Sequence, residues 1–195
     1  MTKRILILNG HPAAQSLSRH FAETYAEAAR NAGAEVKLLH LSDLHFDADF
    51  GFAGYRQTKQ LEPDLEHVLE LFTWCEHLVL TSPMWWGGIP AKLKGLFDRV
   101  LLPGKTFDTR VIRNGFPTPM LSGRSARVLL TSDTPDWFFR TVYRGALWVQ
   151  LKHQILGFVG FKPAQLSHFS TTKEADARQI AGWTDKVSKL GETHQ

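Results

Sequence analysis

Pro83-Met84-Trp85-Trp86-Gly87-Gly88-Ile89-Pro90-Ala91-Lys92-Leu93-Lys94-Gly95 is the stretch on which the reading of the fold turns. The residues just before it, Leu78-Val79-Leu80, form the short apolar run of a strand covered on both faces. Just after it, Leu93, Leu96, Phe97, Val100 and Leu101 recur at helical spacing. Between strand and helix lie two adjacent indoles, two glycines and a proline at the first helical turn. Such a loop offers flat surface and free backbone N–H groups to a planar ligand with polar edges.

Outward from this stretch the chain alternates. Apolar runs at 5–8, 36–39, 128–130 and 164–169 predict four more strands. Helical patterns separate them. Leu17, Phe21, Tyr25 and Ala28 mark one that ends at Gly33, and Leu65, Val68, Leu69 and Phe72 mark one that begins at Pro63. Val142, Ala146, Val149 and Ile155 mark a helix ending at Gly157, and Ile180, Trp183, Val187 and Leu190 a closing one. Five strands alternating with helices predict a single α/β domain over 1–195 with a parallel sheet. In the doubly wound strand order 2-1-3-4-5, the ligand crevice opens where strands one and three end. Two long excursions, 41–61 and 103–123, are expected to be lids or interface pieces.

The 195 residues are 43% apolar and 22% charged, with a formal net charge of +4. Eighteen consecutive apolar residues occur nowhere, so no membrane span is expected, and the apolar run at 5–8 is too short for a secretory core. The one cysteine, Cys75, is expected to pack in the interior of a cytoplasmic protein. Basic residues such as Lys92, Lys94, Arg99, Lys105, Arg110, Arg113, Arg124 and Arg127 are scattered. They form no aromatic-interleaved stripe, which disfavours nucleic acid and suits anionic small ligands. Nine histidines show no metal-ligand spacing, so no metal is expected.

Each candidate residue has a plain structural alternative. Ser16, Leu17 and Ser18 stand where a helix N-terminus and hydroxyls would receive a phosphate, but Ser16 also reads as a simple N-cap. His11 either joins that site or caps the strand end. Two adjacent loop tryptophans are hard to bury together, so at least one of Trp85 and Trp86 is expected to face a crevice. Thr131, Ser132 and Asp133 end the fourth strand, where they either reach a ligand's polar edge or form a capped turn. Gly104-Lys105-Thr106 fails as a phosphate loop because Arg99 stands where the motif needs glycine. With no Ser/His/Asp order and no G-x-S-x-G elbow, a hydrolase is disfavoured.

These motifs resemble the flavodoxin-like NAD(P)H:quinone oxidoreductase family, the DT-diaphorase and modulator-of-drug-activity group. The likeness rests on 83–95, His11 with Ser16-Leu17-Ser18, Leu44-His45-Phe46-Asp47, and Ile155-Leu156-Gly157-Phe158-Val159-Gly160-Phe161. It implies a flavodoxin-like sheet and a tightly held flavin, with FAD favoured over FMN. It also implies NAD(P)H as donor, two-electron reduction of quinone-like acceptors, and a homodimer with the active site at the subunit interface. By position, His11, Leu17 and Ser18 match phosphate contacts. Pro83, Met84, Trp85, Trp86 and Gly87 match the lining of the isoalloxazine, and Thr131 and Ser132 its pyrimidine side. The family's glycine pair after those hydroxyls is here Asp133-Thr134, and its tyrosine and histidine assistants have no clear counterpart; Trp137, Tyr143 and Arg144 lie in that region. In the expected ping-pong cycle hydride passes to flavin N5, with Trp86 as the stacking wall and Tyr143 as a second catalytic candidate. The Gly87 and Gly88 N–H groups are expected to stabilise charge on the reduced ring. Cations of 103–123 are expected to attract the NAD(P)H phosphates. The alternatives are an ancillary regulatory subunit of a potassium-efflux system and a one-electron flavodoxin carrier, the latter disfavoured by the basic charge.

Overall fold

A computed structural model describes residues 2–52, 54 and 57–195. Strand β1 (Arg4–Asn9) pairs in parallel with β2 (Glu35–His40) on one side and β3 (His77–Pro83) on the other. Beyond β3 come β6 (Arg124–Thr131) and β7 (Phe161–Phe169), both parallel. The five-stranded order β2-β1-β3-β6-β7 is the expected 2-1-3-4-5. Strand pleating sends alternate residues to opposite faces. Ile5 and Ile7 therefore meet α1 (Leu17–Asn31) and α7 (Ala177–Glu192) in a core with Phe21, Tyr25 and Val187. Leu6 and Leu8 meet α2 (Pro63–Trp74) and α3 (Ala91–Val100) in the other core, with Leu65, Val68, Leu93 and Leu96. Each fully buried aliphatic side chain contributes about 1.5–3 kcal/mol, and every residue of β3 is buried, so the strand carrying the diagnostic loop is firmly held.

The first excursion is pinned down by one side chain. Arg99, on α3 and 2% exposed, donates to Glu62 Oε2 at 2.8 Å and to the Gln60 carbonyl at 2.9 Å. It also donates to the Asp47 carbonyl. Gly95, one turn earlier, lets α3 approach so closely that a Cβ there would lie 2.6 Å from that of Ala48. Part of this excursion, at Ala53, Tyr55 and Arg56, lies outside the described residues.

The second excursion holds an antiparallel hairpin that the sequence reading missed, β4 (Phe107–Arg113) and β5 (Phe116–Pro119). Pro117 and Pro119 argue against a strand, yet a two-stranded ribbon tolerates them because it has only edges. Asn114-Gly115 was the available signal: both residues have positive φ, 50° and 79°, as a two-residue hairpin turn requires. The helical stretch expected to end at Gly157 is also broken. It comprises α4 (Asp136–Thr141), α5 (Ala146–Val149), a π-helical segment (Gln150–Leu156) and α6 (Gly157–Val159), interrupted by left-handed Arg144 and Gly145.

Candidate functional site

The loops leaving β1 and β3 meet at the carboxyl edge of the sheet. Gly10 N–H donates to the Thr81 carbonyl at 2.7 Å, and Thr81 Oγ1 donates to Asn9 Oδ1 at 3.2 Å, tying the two strand ends together. Asn9 Oδ1 also accepts from His11 N–H at 3.2 Å, which fixes the turn that presents His11. Its imidazole stands edge-on to Trp85, ring centroids 5.4 Å apart and planes at 82°. Burial pulls His11 below its ordinary pKa, so it is neutral at pH 7. Nδ1 accepts from Ala13 N–H at 3.0 Å, which leaves the ring hydrogen on Nε2 as a donor.

Ser16 turns out to be an N-cap. Its Oγ accepts from Arg19 N–H at 3.1 Å, so that oxygen is committed to the helix. Ser18 is buried with its Oγ 3.3 Å from Thr131 Oγ1, a bridge from α1 to the end of β6. Its hydroxyl is committed there, while the N–H groups of Leu17 and Ser18 have no partner within the helix and point out of its positive end.

Trp85-Trp86-Gly87-Gly88 is a tight turn. Trp85 N–H donates to the Gly88 carbonyl at 2.8 Å, and Gly88 N–H to that of Trp85 at 2.9 Å. Trp86 and Gly87 both have positive φ, 50° and 74°. A tryptophan in the left-handed region costs about 1–2 kcal/mol, and this one is fully exposed, at 106%. The fold recovers nothing from its ring. The expectation that both Gly87 and Gly88 N–H groups face a ligand is corrected, since Gly88 closes the turn. Trp86 nevertheless lines a cavity of about 380 Å³ with Met84, Gly87, Phe139, Tyr143 and Leu147. This brings both catalytic candidates, Trp86 and Tyr143, to one recess. A larger cleft of about 650 Å³, between α3, β4 and the π-helical segment, lies apart from these loops; Phe97, Leu101 and Phe158 line it beside Lys94, Asp98 and Gln154.

On the far wall, Met84 N–H donates to the Thr131 carbonyl at 2.8 Å, so Pro83 and Met84 run beside Thr131 and Ser132. Asp133 turns away. Its Oδ1 accepts from Thr172 Oγ1 at 2.9 Å and from Lys173 N–H at 2.8 Å, so it anchors the turn after β7. Ser132 Oγ lies 2.8 Å from His168 Nε2, and His168 Nδ1 lies 2.7 Å from Asp136 Oδ1. The sequence order offered no recognisable Ser/His/Asp motif, but the fold assembles one. Among the cations proposed to attract phosphates, Arg110 is committed to Asp108 at 2.9 Å, and the Arg113 side chain lies outside what the structure describes. Arg99 and Arg127 are buried. Cys75 is buried too, its thiol pushed up to about 12 by burial, and takes no part. Among the described residues no cluster suited to a metal ion is found, and no helix is long and apolar enough to cross a membrane.

With fold and crevice defined, known proteins supply the class. Residues 3–190 match the family described as "Flavodoxin-like fold", and the chain belongs to that family. An FMN-dependent NADH:quinone oxidoreductase of Ruegeria pomeroyi is 31% identical over 68% of this chain and 71% of its own length. A ribosyldihydronicotinamide dehydrogenase [quinone] of Pongo abelii is 23% identical over 96% of this chain and 92% of its own. The solved NAD(P)H:quinone oxidoreductase of Methanothermobacter marburgensis shares the fold with a TM-score of 0.83, at 21% identity and full coverage (100%) of both chains. The expected kinship with the quinone oxidoreductases is borne out.

Proposed function

We propose that the protein is a flavin-dependent NAD(P)H:quinone oxidoreductase. The observation that carries this reading is the convergence of the His11 loop, the open N-terminus of α1 and the Trp85–Gly88 turn at the ends of β1 and β3. FMN is the flavin we assign, in place of FAD, because the Ruegeria relative is named FMN-dependent. The donor set suits a phosphate: the His11 Nε2–H and the Leu17 and Ser18 N–H groups are all neutral donors beside a helix N-terminus. Met84, Trp85 and Gly87 would line the ring, and the Thr131 and Ser132 hydroxyls its polar edge.

When bound, the flavin accepts hydride from the nicotinamide and passes two electrons to the acceptor. The chain's own part is orientation. Trp86 and Tyr143 flank the 380 Å³ recess and hold a flat substrate against the site. Apolar side chains exposed on the hairpin, Val111, Ile112 and Phe116, are ones that a second copy covers in the homodimer we assign. The lone thiol needs no oxidising compartment, and we place the enzyme in the cytoplasm. The test is the absorption spectrum and sedimentation of the purified protein, with the released cofactor identified by mass and turnover of NADH and NADPH followed with a soluble quinone. A yellow dimer that releases FMN and oxidises either nucleotide is expected. A colourless protein that takes up no added flavin overturns the reading.

A further inference from the structure

Ser132, His168 and Asp136 come from three elements, and the binding scheme above gives two of them no task. His168, next to last in β7, has a fully buried side chain (0% exposed). The Phe139 ring covers it, with centroids 4.6 Å apart. Asp136, at the start of α4, accepts from Arg140 Nε at 2.6 Å through its other oxygen. From the loop after β6, the Asp133 carboxylate is turned toward Thr172 and Lys173. The charged groups facing His168 are therefore Asp136 and, behind it, Arg140.

The hydrogen positions follow from chemistry. A carboxylate only accepts, so His168 Nδ1 carries a hydrogen. In the neutral ring Nε2 then accepts, and the Ser132 hydroxyl must donate to it at 2.8 Å. Its lone pairs are left for a ligand's donor. In the protonated ring Nε2–H donates instead, and the Ser132 hydrogen is released. It then points to the Thr134 carbonyl at 3.2 Å or into the crevice. One proton on His168 thus converts Ser132 from acceptor to donor. Hydrolases use the same trio for nucleophilic attack, but Ser132 is 5% exposed and its N–H is bonded to the Phe169 carbonyl at 3.0 Å. That leaves neither an open nucleophile nor a free donor for an oxyanion.

We propose that His168 and Asp136 are positioning residues that form a proton relay with Ser132 at the polar edge of the cofactor site, and that the relay gains a proton when the holoenzyme is reduced. This rests on the flavin reading given above. The proton comes from solvent, Asp136 holds the tautomer, His168 Nε2 receives the proton, and the Ser132 hydroxyl turns to donate toward the more negative site. No electron enters the relay.

The test is the flavin midpoint potential of the holoenzyme measured against pH in the wild type, His168→Asn and Asp136→Asn. One extra proton per two electrons should give the wild type a segment steepened by about 30 mV per pH unit. His168→Asn should lack this segment, and Asp136→Asn should move it to lower pH, since the carboxylate favours the charged ring. Nitrogen NMR of His168 in the wild type reads the same event without a variant. The oxidised protein should show the Nδ1–H tautomer and the dithionite-reduced protein a proton on both nitrogens. Equal slopes in wild type and His168→Asn, or an imidazole spectrum unchanged by reduction, overturn the relay while the flavin assignment stands. A wild type that holds no flavin overturns both.

Discussion

Trp86 occupies a backbone region that disfavours side chains and places its ring wholly in solvent, a combination that folding alone does not reward. Contact with substrate is the role proposed for it above. Trp86→Ala is expected to cut NAD(P)H oxidation at least about tenfold, roughly 1.4 kcal/mol of transition-state binding, and to weaken flavin retention. Trp86→Gly should lose as much activity while gaining up to about 1 kcal/mol of stability, because glycine accepts the positive φ without strain. Steady-state rates and thermal melts of the two variants separate the contributions. Unchanged turnover in both would remove Trp86 from the site.

At the scale of the element, Arg99 decides whether 41–61 is part of the structure or a loose strap. Its guanidinium pins the stretch, gathering the carbonyls of Asp47 and Gln60 and the carboxylate of Glu62. Glu62 is held below the usual carboxylate range chiefly by its hydrogen bond from Arg99. Arg99→Met keeps the volume and loses every one of these bonds. About 3 kcal/mol of destabilisation is expected, from charge-assisted bonds lost near the surface of the core. Chemical denaturation measures the loss, and limited proteolysis should cut within 41–61 well before the sheet opens. Resistance equal to wild type would mean that other contacts hold the excursion.

Across the whole molecule, acid sensitivity is written into the end of the sheet opposite the crevice. Burial, and then the charges of Lys3, Arg127 and His194, push His77 down to about 3. In the unfolded chain the same imidazole takes a proton near its ordinary value of about 6.5. Between those limits the unfolded state binds one more proton than the folded one. The stability due to a neutral His77 is complete above about pH 6.5, and it declines as pH falls, by roughly 1.4 kcal/mol per unit. Denaturant titrations at pH 7 and about pH 5 should show His77→Asn losing less stability than wild type over that drop. An equal loss would place the acid-sensitive group elsewhere.

The chain alone determined the strands of the sheet and the two loops that matter, because apolar periodicity and turn residues are local properties that survive without partners, whereas the strand order was implied by the family resemblance and shown by the fold. Asn9-Gly10-His11 and Trp85-Trp86-Gly87-Gly88 were legible for the same reason. The Asn114-Gly115 hairpin was legible too, but Pro117 and Pro119 masked it. Tertiary structure alone decided that Ser16 caps, that Asp133 anchors a turn, that Gly88 closes one, and that Arg99 and Arg127 are internal. It alone joined Ser132, Asp136 and His168. Those outcomes are hydrogen bonds between residues far apart in sequence, and a single polar side chain leaves no periodic trace of the partner that folding will bring to it.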